Sequence, residues 1–300
     1  MQKSQEGIRM LDYIAYLQND SKDPKTIEAY SKSVVEFQKW YSDTTGQEFD
    51  PQIITSLDIK DYISWLATSQ KQSPRTINKK LGGLKNYFNY LIDEEIITAN
   101  PTAKVKSKKI SSLQQSPRWL TRHEQARLLH CIEKNKNTKK RARDYAIAQL
   151  MLQAGLRVIE VASLNIDDID LRRNTLTIRE GKGGKMAILP INKDLHKSLA
   201  DYIELRESHK DALFISGKGD RLTDRGIQHQ FRKYFDQINL PDTTVHSLRH
   251  SFCKNLLDQG VDLTVVAQLA RHESLDTTRR YVTPGERDLR LAVEKINWED

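Results

Sequence analysis

The chain has 300 residues, with 48 Lys and Arg against 40 Asp and Glu, and a net charge of +8 at pH 7. Its length fits two domains, and its two cysteines, Cys131 and Cys253, are too few for a disulfide framework or a cysteine-based metal cluster. No run of about 18 apolar residues predicts a membrane span and no signal-peptide pattern opens the chain, so we expect a cytoplasmic protein whose positive charge suits a polyanion such as nucleic acid.

Residues 1–103 predict one helical domain. Apolar residues recur every three to four positions in four stretches, at about 7–18, 24–41, 56–66 and 73–91. Pro24 is a favoured first-turn residue, and Ser73 is a suitable helix N-cap. Asn100 precedes Pro101 and is therefore pushed out of the helical region, which predicts the end of this block.

Residues 104–117 predict a linker, because they hold four lysines and four serines without apolar periodicity. A solvated loop has the same composition. We favour a linker that lies along a phosphate backbone, since it joins two basic halves of the chain.

Residues 118–300 predict a second domain, mainly helical with a small antiparallel sheet. Thr121 and Glu124 have the spacing of a capping box, which starts a helix. The apolar period changes to two on either side of the turn 181–184, which predicts a β-hairpin, and 213–216 is expected to add a third strand. Helices are predicted at about 121–133, 141–154, 158–164, 192–206, 223–238, 244–259, 263–270, 275–282 and 286–296.

Arg157 stands two residues after Gly155, which is predicted to end a helix, and at the start of the next helix. A cation there opposes the helix dipole. It is explained either by a bound anion, held by the guanidinium together with free backbone amides, or by a surface ion pair with Glu160.

His246 and Arg249 are three residues apart and therefore project from one face of a predicted helix. His250, four residues after His246, raises a metal-binding alternative. A two-histidine helix site needs a third ligand and usually a nearby Glu, and neither stands at the required spacing. We therefore predict no metal site and interpret His250 as a packed, hydrogen-bonded core residue.

Tyr281 follows His272 by nine residues, and Lys182 lies among glycines in the hairpin turn. Taken singly, the first is typical of half-buried packing and the second of a solvated turn. Beside several cations, however, a phenol can attack a phosphodiester. Guanidiniums stabilise the growing charge, a histidine accepts or orients the proton, and a loop lysine protonates the departing oxygen. A covalent phosphotyrosine preserves the energy of the broken bond, so this chemistry needs no cofactor.

Together these motifs resemble the active-site signature of the tyrosine recombinase (phage integrase) family. The matching segments, in the family's order and spacing, are Gly155-Leu-Arg157-Val-Ile-Glu160, Gly181-Lys182-Gly183, His246-Ser-Leu-Arg249-His250, His272 and Tyr281. The first block, with Thr26-Ile-x-x-Tyr30 and Ser73-Pro-Arg-Thr-Ile, is similar to the family's SAM-like, four-helix core-binding domain. The compact size looks most like Xer-type or transposon- and plasmid-borne resolvases.

The resemblance implies a site-specific DNA recombinase and gives each residue of the signature a role. Tyr281 is implied as the nucleophile that forms a 3′-phosphotyrosyl bond, and Lys182 as the general acid. Arg157 and Arg249 are implied to clamp the scissile phosphate, and His246 and His272 to assist proton transfer and phosphate binding. Glu160 is implied to support Arg157 or the neighbouring histidine.

The resemblance also implies an assembly. Two domains clamp one half-site of double-stranded DNA with inverted repeats, and a homotetramer on two duplexes exchanges strands through a Holliday junction. The helix 286–296 packs on its own domain or, as the family suggests, docks into a neighbouring protomer. The target site, the need for accessory proteins, and the choice between integration, excision and resolution of cointegrates or multimers stay open.

One position departs from the family pattern. The family commonly has the sequence Leu-Gly-His, in which the histidine is its last conserved one. This chain has Leu269-Ala270-Arg271-His272, so Arg271 stands where the family has glycine. Arg271 is therefore predicted as an additional phosphate contact.

Three alternatives remain. A non-catalytic DNA-binding or accessory protein would need the clamp but not Tyr281, so the complete signature disfavours it. A type IB topoisomerase would use the same chemistry to relax DNA instead of exchanging strands, and the N-terminal helical block and the small size disfavour it. A metal nuclease could use the acidic cluster Asp167, Asp168, Asp170 and Glu180, which a solvated turn also explains.

Overall fold

The computed structural model describes residues 2–109, 117–179, 186–206, 211–272, 274–279 and 281, with side chains from residue 10 onward. The chain divides into two compact units, Met1–Ser112 and Leu113–Asp300. Among the described residues, no helix is long and apolar enough to cross a membrane. Lys182, Glu180 and the predicted helix 286–296 lie outside the described residues.

The described part of the N-terminal unit is a helical bundle. Its helices are α1 (Gln2–Asn19), α2 (Pro24–Thr45), α3 (Ser56–Thr68) and α4 (Pro74–Asp93). Thr55 and Ser73 are the N-caps of α3 and α4, because their hydroxyls accept hydrogen bonds from the first free backbone amides. At the centre, the buried ring of Phe37 contacts Tyr62 edge to face, with ring centroids 5.1 Å apart.

The C-terminal unit is mainly helical. Its helices are α5 (Arg122–Glu133), α6 (Thr138–Gln153), α7 (Val158–Ser163), α8 (Lys193–Leu205), α9 (Asp224–Gln237), α10 (Val245–Asp258), α11 (Leu263–Ala270) and α12 (Leu275–Arg279). The predicted capping box is present, since Glu124 accepts from the amide of Thr121 at 2.8 Å. Residues 146–152 of α6 are all buried, so this helix forms the centre of the unit. It begins earlier than the predicted residue 141, because Asn137 caps it.

The sheet is small and antiparallel, with strands in the order β1 (Ile169–Asp170), β2 (Thr175–Ile178) and β3 (Ala187–Pro190). The hairpin prediction is confirmed, but the prediction of a third strand at 213–216 is wrong. Leu213 is fully buried, and its amide donates to the carbonyl of Leu164 in a loop rather than to the hairpin. Apolar residues there therefore mark core packing, not a sheet edge.

Candidate active site

The turn after α6 positions the site. Gly155 has a positive φ of 61°, and a Cβ at this residue would lie 2.4 Å from the ring of Phe252 on α10. Both features exclude other residues there. The turn directs the carbonyl of Gly155 towards two guanidiniums, because it accepts hydrogen bonds from Arg249 Nη1 and, at 3.3 Å, from Arg271 Nη2.

Arg157 is the N-cap residue of α7 and is held by Glu160. One carboxylate oxygen of Glu160 accepts from the Arg157 amide at 2.7 Å, and the other accepts from Nη1 of the same side chain at 2.7 Å. Arg157 Nη2 donates to the carbonyl of Arg271 at 2.9 Å. The ion pair with Glu160 is therefore present, and it fixes the guanidinium at the N-terminus of α7.

Arg249 lies on α10 and is almost completely buried, with 4% of the residue exposed. Its two terminal nitrogens donate to the carbonyls of Gly155 and Ala270, and Nη1 is 4.0 Å from Glu160 Oε2. Burial, aided by the charge of Arg157 and opposed by Glu160, lowers its pKa to about 10. The guanidinium therefore keeps its charge at neutral pH and brings a second cation close to Arg157.

Two histidines lie beside these arginines. His246 is exposed on α10, and desolvation together with the charges of Arg249 and Arg157 lowers its pKa. His272 follows α11, and its Nδ1 shares a hydrogen bond of 2.7 Å with Thr278 Oγ1. Burial and the same two arginines lower the pKa of His272 to about 4. Both rings are therefore neutral at pH 7 and can accept a proton.

We expect the His272 ring to titrate near pH 4, because burial and the neighbouring cations disfavour imidazolium. The unfolded chain takes up this proton first, so His272 opposes folding progressively as pH falls below about 6.5. Ring-detected NMR titration measures the pKa, and a bound oligonucleotide phosphate is expected to raise it. A His272 midpoint near that of free imidazole contradicts the prediction.

Tyr281 is buried in this conformation, with 3% of the residue exposed. Its hydroxyl shares a hydrogen bond with His250 Nδ1, and its ring stacks on His272 at 6.5 Å between centroids. It packs in a small cluster with Phe252 and Cys253, and burial raises the pKa of the Cys253 thiol to about 11. The phenol thus contacts His272, which lies beside the two arginines, but it is buried away from solvent.

The structure thus brings together Arg157, Glu160, Arg249, His246, His272 and Tyr281. Three further residues belong to the site: His250 and Arg271, which the sequence analysis singles out for other roles, and Thr278, which it misses. His250 contacts Tyr281, Thr278 holds His272, and Arg271 contacts Glu160. The position of His250 one turn after His246 was the available signal, but the hydroxyl that it contacts is far away in sequence.

Two described members of the acidic cluster, Asp168 and Asp170, form local contacts. Asp168 accepts from the Asn165 amide at 2.8 Å and from the Arg179 side chain, and Asp170 accepts from the amide of Arg172 at 3.0 Å. Within the part of the chain that the structure describes, no group of three His, Cys, Asp or Glu side chains could hold a metal ion. These carboxylates therefore complete a turn and the start of the sheet.

The comparison with protein families agrees with this geometry. A model described as the phage integrase family matches residues 118–287, and a model of the phage integrase N-terminal SAM-like domain matches residues 10–98. The chain belongs to the phage integrase family. It is a tyrosine-type site-specific DNA recombinase, and the sequence-based predictions of family, fold class and enzyme class are confirmed.

Similar proteins cover nearly all of this recombinase. A tyrosine recombinase XerC of Thermodesulfovibrio yellowstonii is 32% identical over 90% of this chain and 89% of its own. A TnP I resolvase of Bacillus thuringiensis is 27% identical over 95% of this chain and 98% of its own. A crystal structure of the XerH site-specific recombinase bound to difH substrate, a pre-cleavage complex, is 25% identical with a TM-score of 0.69, covering 91% of this chain and 79% of that one.

Proposed function

We propose that this recombinase cuts and rejoins two DNA duplexes through a 3′-phosphotyrosyl intermediate. The meeting of Arg157 and Arg249 with two neutral imidazoles, next to the phenol of Tyr281, supports the proposal. Two fixed cations can bind the non-bridging oxygens of one phosphate, and a neutral imidazole can accept the proton of an attacking phenol.

Cleavage exchanges one phosphoester bond for another. The hydroxyl oxygen of Tyr281 attacks the scissile phosphorus, and the new O–P bond forms as the bond from phosphorus to the 5′ oxygen breaks. The phenol proton passes to His246 or His272, and Lys182, on the resemblance stated above, protonates the departing 5′ oxygen. Rejoining reverses these steps with a 5′ hydroxyl of the other duplex, so neither water nor a nucleotide is consumed.

The buried position of Tyr281 sets a condition on this chemistry. Its hydroxyl shares a hydrogen bond with His250 and only 3% of the residue is exposed. The bond to His250 must therefore open before the oxygen reaches a phosphate. Tyr281 lies two residues after the end of the short helix α12, and we propose that movement of this segment releases the nucleophile.

We propose double-stranded DNA with an inverted-repeat site as the substrate and a homotetramer on two duplexes as the active assembly, with strands exchanged in pairs through a Holliday junction. The similar XerH recombinase is bound to difH substrate in its crystal structure, and this similarity together with the net charge of +8 supports the DNA partner. The resolvase relative supports resolution of cointegrates or multimers, whereas other family members support integration and excision. Such a reaction takes place in the cytoplasm.

The test starts from a target site, selected by binding from a random duplex library. A duplex of that site with a nick beside the scissile phosphate traps the covalent intermediate, because the released 5′ end diffuses away. We expect a covalent protein–DNA complex that forms equally well in excess EDTA, since no step needs a metal. A strict requirement for magnesium, with hydrolysed ends and no covalent complex, contradicts the proposal and favours a nuclease.

A further inference from the structure

Arg271 adopts a backbone conformation that is unfavourable for its residue type. It is the C-cap of α11, with φ 55° and ψ 48° in the left-handed region. Glycine suits this region best, and the family pattern given above has glycine at this position. An arginine here accepts backbone strain, which points to a function of its side chain.

The guanidinium of Arg271 connects three segments of the catalytic unit. Nη1 donates to the carbonyl of Leu269 at 2.9 Å, at the end of its own helix. Nη2 donates to Glu160 Oε2 at 2.7 Å on α7 and to the carbonyl of Gly155 at 3.3 Å, in the turn after α6. Only 13% of the side chain is exposed. Both terminal nitrogens thus donate to protein acceptors, and Arg271 ties the end of α11 to α7 and to the turn after α6.

Arg271 occupies the carboxylate oxygen that faces Arg249. Glu160 Oε2 is 2.7 Å from Arg271 Nη2 but 4.0 Å from Arg249 Nη1. A carboxylate oxygen that already accepts a charged donor is less attractive to a second one. Without Arg271, Arg249 would be free to close on Glu160, and its charge would be neutralised by the carboxylate instead of facing a phosphate.

We propose that Arg271 is a positioning residue that keeps Glu160 from neutralising Arg249 and so leaves the Arg249 guanidinium available to the scissile phosphate. This inference rests on the proposed function and deepens it. The charge of Arg271 also keeps Glu160 ionised: burial raises the pKa of that carboxyl, but Arg271 and the hydrogen bonds of Arg157 outweigh it and hold the pKa below its usual value. Three cations then share one carboxylate.

The test compares Arg271→Gly, Arg271→Lys and wild type on the nicked duplex. Glycine tolerates the left-handed backbone, so folding is expected to survive, and melting temperature and DNA affinity check it. At saturating DNA we expect Arg271→Gly to form the covalent complex about 10- to 100-fold more slowly, with a Kd within about threefold of wild type, because a displaced guanidinium weakens transition-state binding. Arg271→Lys, which restores a cation beside Glu160, is expected to recover part of the rate.

Asn239→Gly is the matched control. Asn239 also has a left-handed backbone, with φ 55°, but it is exposed beyond α9 and has no contact with Glu160. Relief of backbone strain alone would therefore act equally in the two glycine variants. We expect the control to cleave at the wild-type rate.

Combination with Glu160→Gln separates positioning from a general structural role. If Arg271 acts through Glu160, Arg271→Gly slows cleavage less than about twofold in the Glu160→Gln background. A wild-type rate for Arg271→Gly overturns the inference, and so does a loss of DNA affinity as large as the loss of rate, which indicates direct phosphate binding. Absence of covalent complex with the wild-type protein overturns the proposed function instead, and this role with it.

Discussion

A Tyr281→Phe variant is expected to bind its DNA site as tightly as wild type and to form no covalent complex with it. The substitution removes only the hydroxyl oxygen that forms the bond to phosphorus, while the ring keeps its place in the cluster with Phe252 and Cys253. Loss of a nucleophile lowers the rate by roughly 10⁴-fold or more, because no other group in the site replaces it. A gel that resolves covalent from non-covalent complexes on the nicked duplex measures both properties.

Tyr202→Phe provides the control for loss of a buried tyrosine hydroxyl. Tyr202 lies on α8, and its hydroxyl accepts from the amide of Ile215 at 3.3 Å. Each variant loses the hydrogen bonding of one buried hydroxyl, and each such bond is worth about 1 kcal/mol of folding free energy. We expect Tyr202→Phe to retain covalent complex formation. A covalent product from Tyr281→Phe would remove Tyr281 as the nucleophile.

An Arg249→Lys variant is expected to cleave about 10²- to 10³-fold more slowly than wild type, the usual cost of losing one fixed donor to a developing charge. The planar guanidinium donates to the carbonyls of Gly155 and Ala270 at once, and an ammonium cannot reproduce this fork. Burial and the charge of Arg157, which lower the pKa of Arg249, also lower that of a lysine there. Single-turnover cleavage against pH therefore should show the variant gaining rate as pH falls and the ammonium charges.

Arg173→Lys makes the same chemical change at an exposed position. Arg173 lies in the turn between β1 and β2, and 85% of its side chain is exposed. We expect this control to cleave at the wild-type rate over the same pH range. Equal rates for Arg249→Lys and wild type would show that the fork at Gly155 and Ala270 is dispensable.

Local chemistry in the sequence was sufficient to predict much of the fold. The hydroxyl of Ser73 and the pair Thr121 and Glu124 mark helix starts through contacts within three residues, and these contacts are present. The strand predicted at 213–216 failed for the opposite reason. An apolar run has the same pattern in a sheet and in a core loop, and the difference depends on a partner, Leu164, that is distant in sequence.

In the site, too, the sequence predicts contacts between residues that are close along the chain but not contacts between distant ones. Arg157 and Glu160 are one helical turn apart, so their ion pair could be proposed from spacing alone. The contact between Arg271 and Glu160 joins residues 111 positions apart, and that between His250 and Tyr281 joins residues 31 apart. No periodicity reports such pairs, because they depend on how α7, α10 and α11 pack. The roles of the signature residues and of Lys182 remain predictions.

Because Tyr281 is buried, its release for strand cleavage costs free energy. A large aromatic side chain that leaves a packed cluster creates a void, and voids of this size cost about 3 to 5 kcal/mol. If nothing fills the space beside Phe252 and Cys253, a spontaneously freed phenol is present in roughly one molecule in 10² to 10⁴. A protomer that meets DNA alone is thereby restrained from nicking it. The free energy that releases the nucleophile has to come from contacts that this conformation does not make.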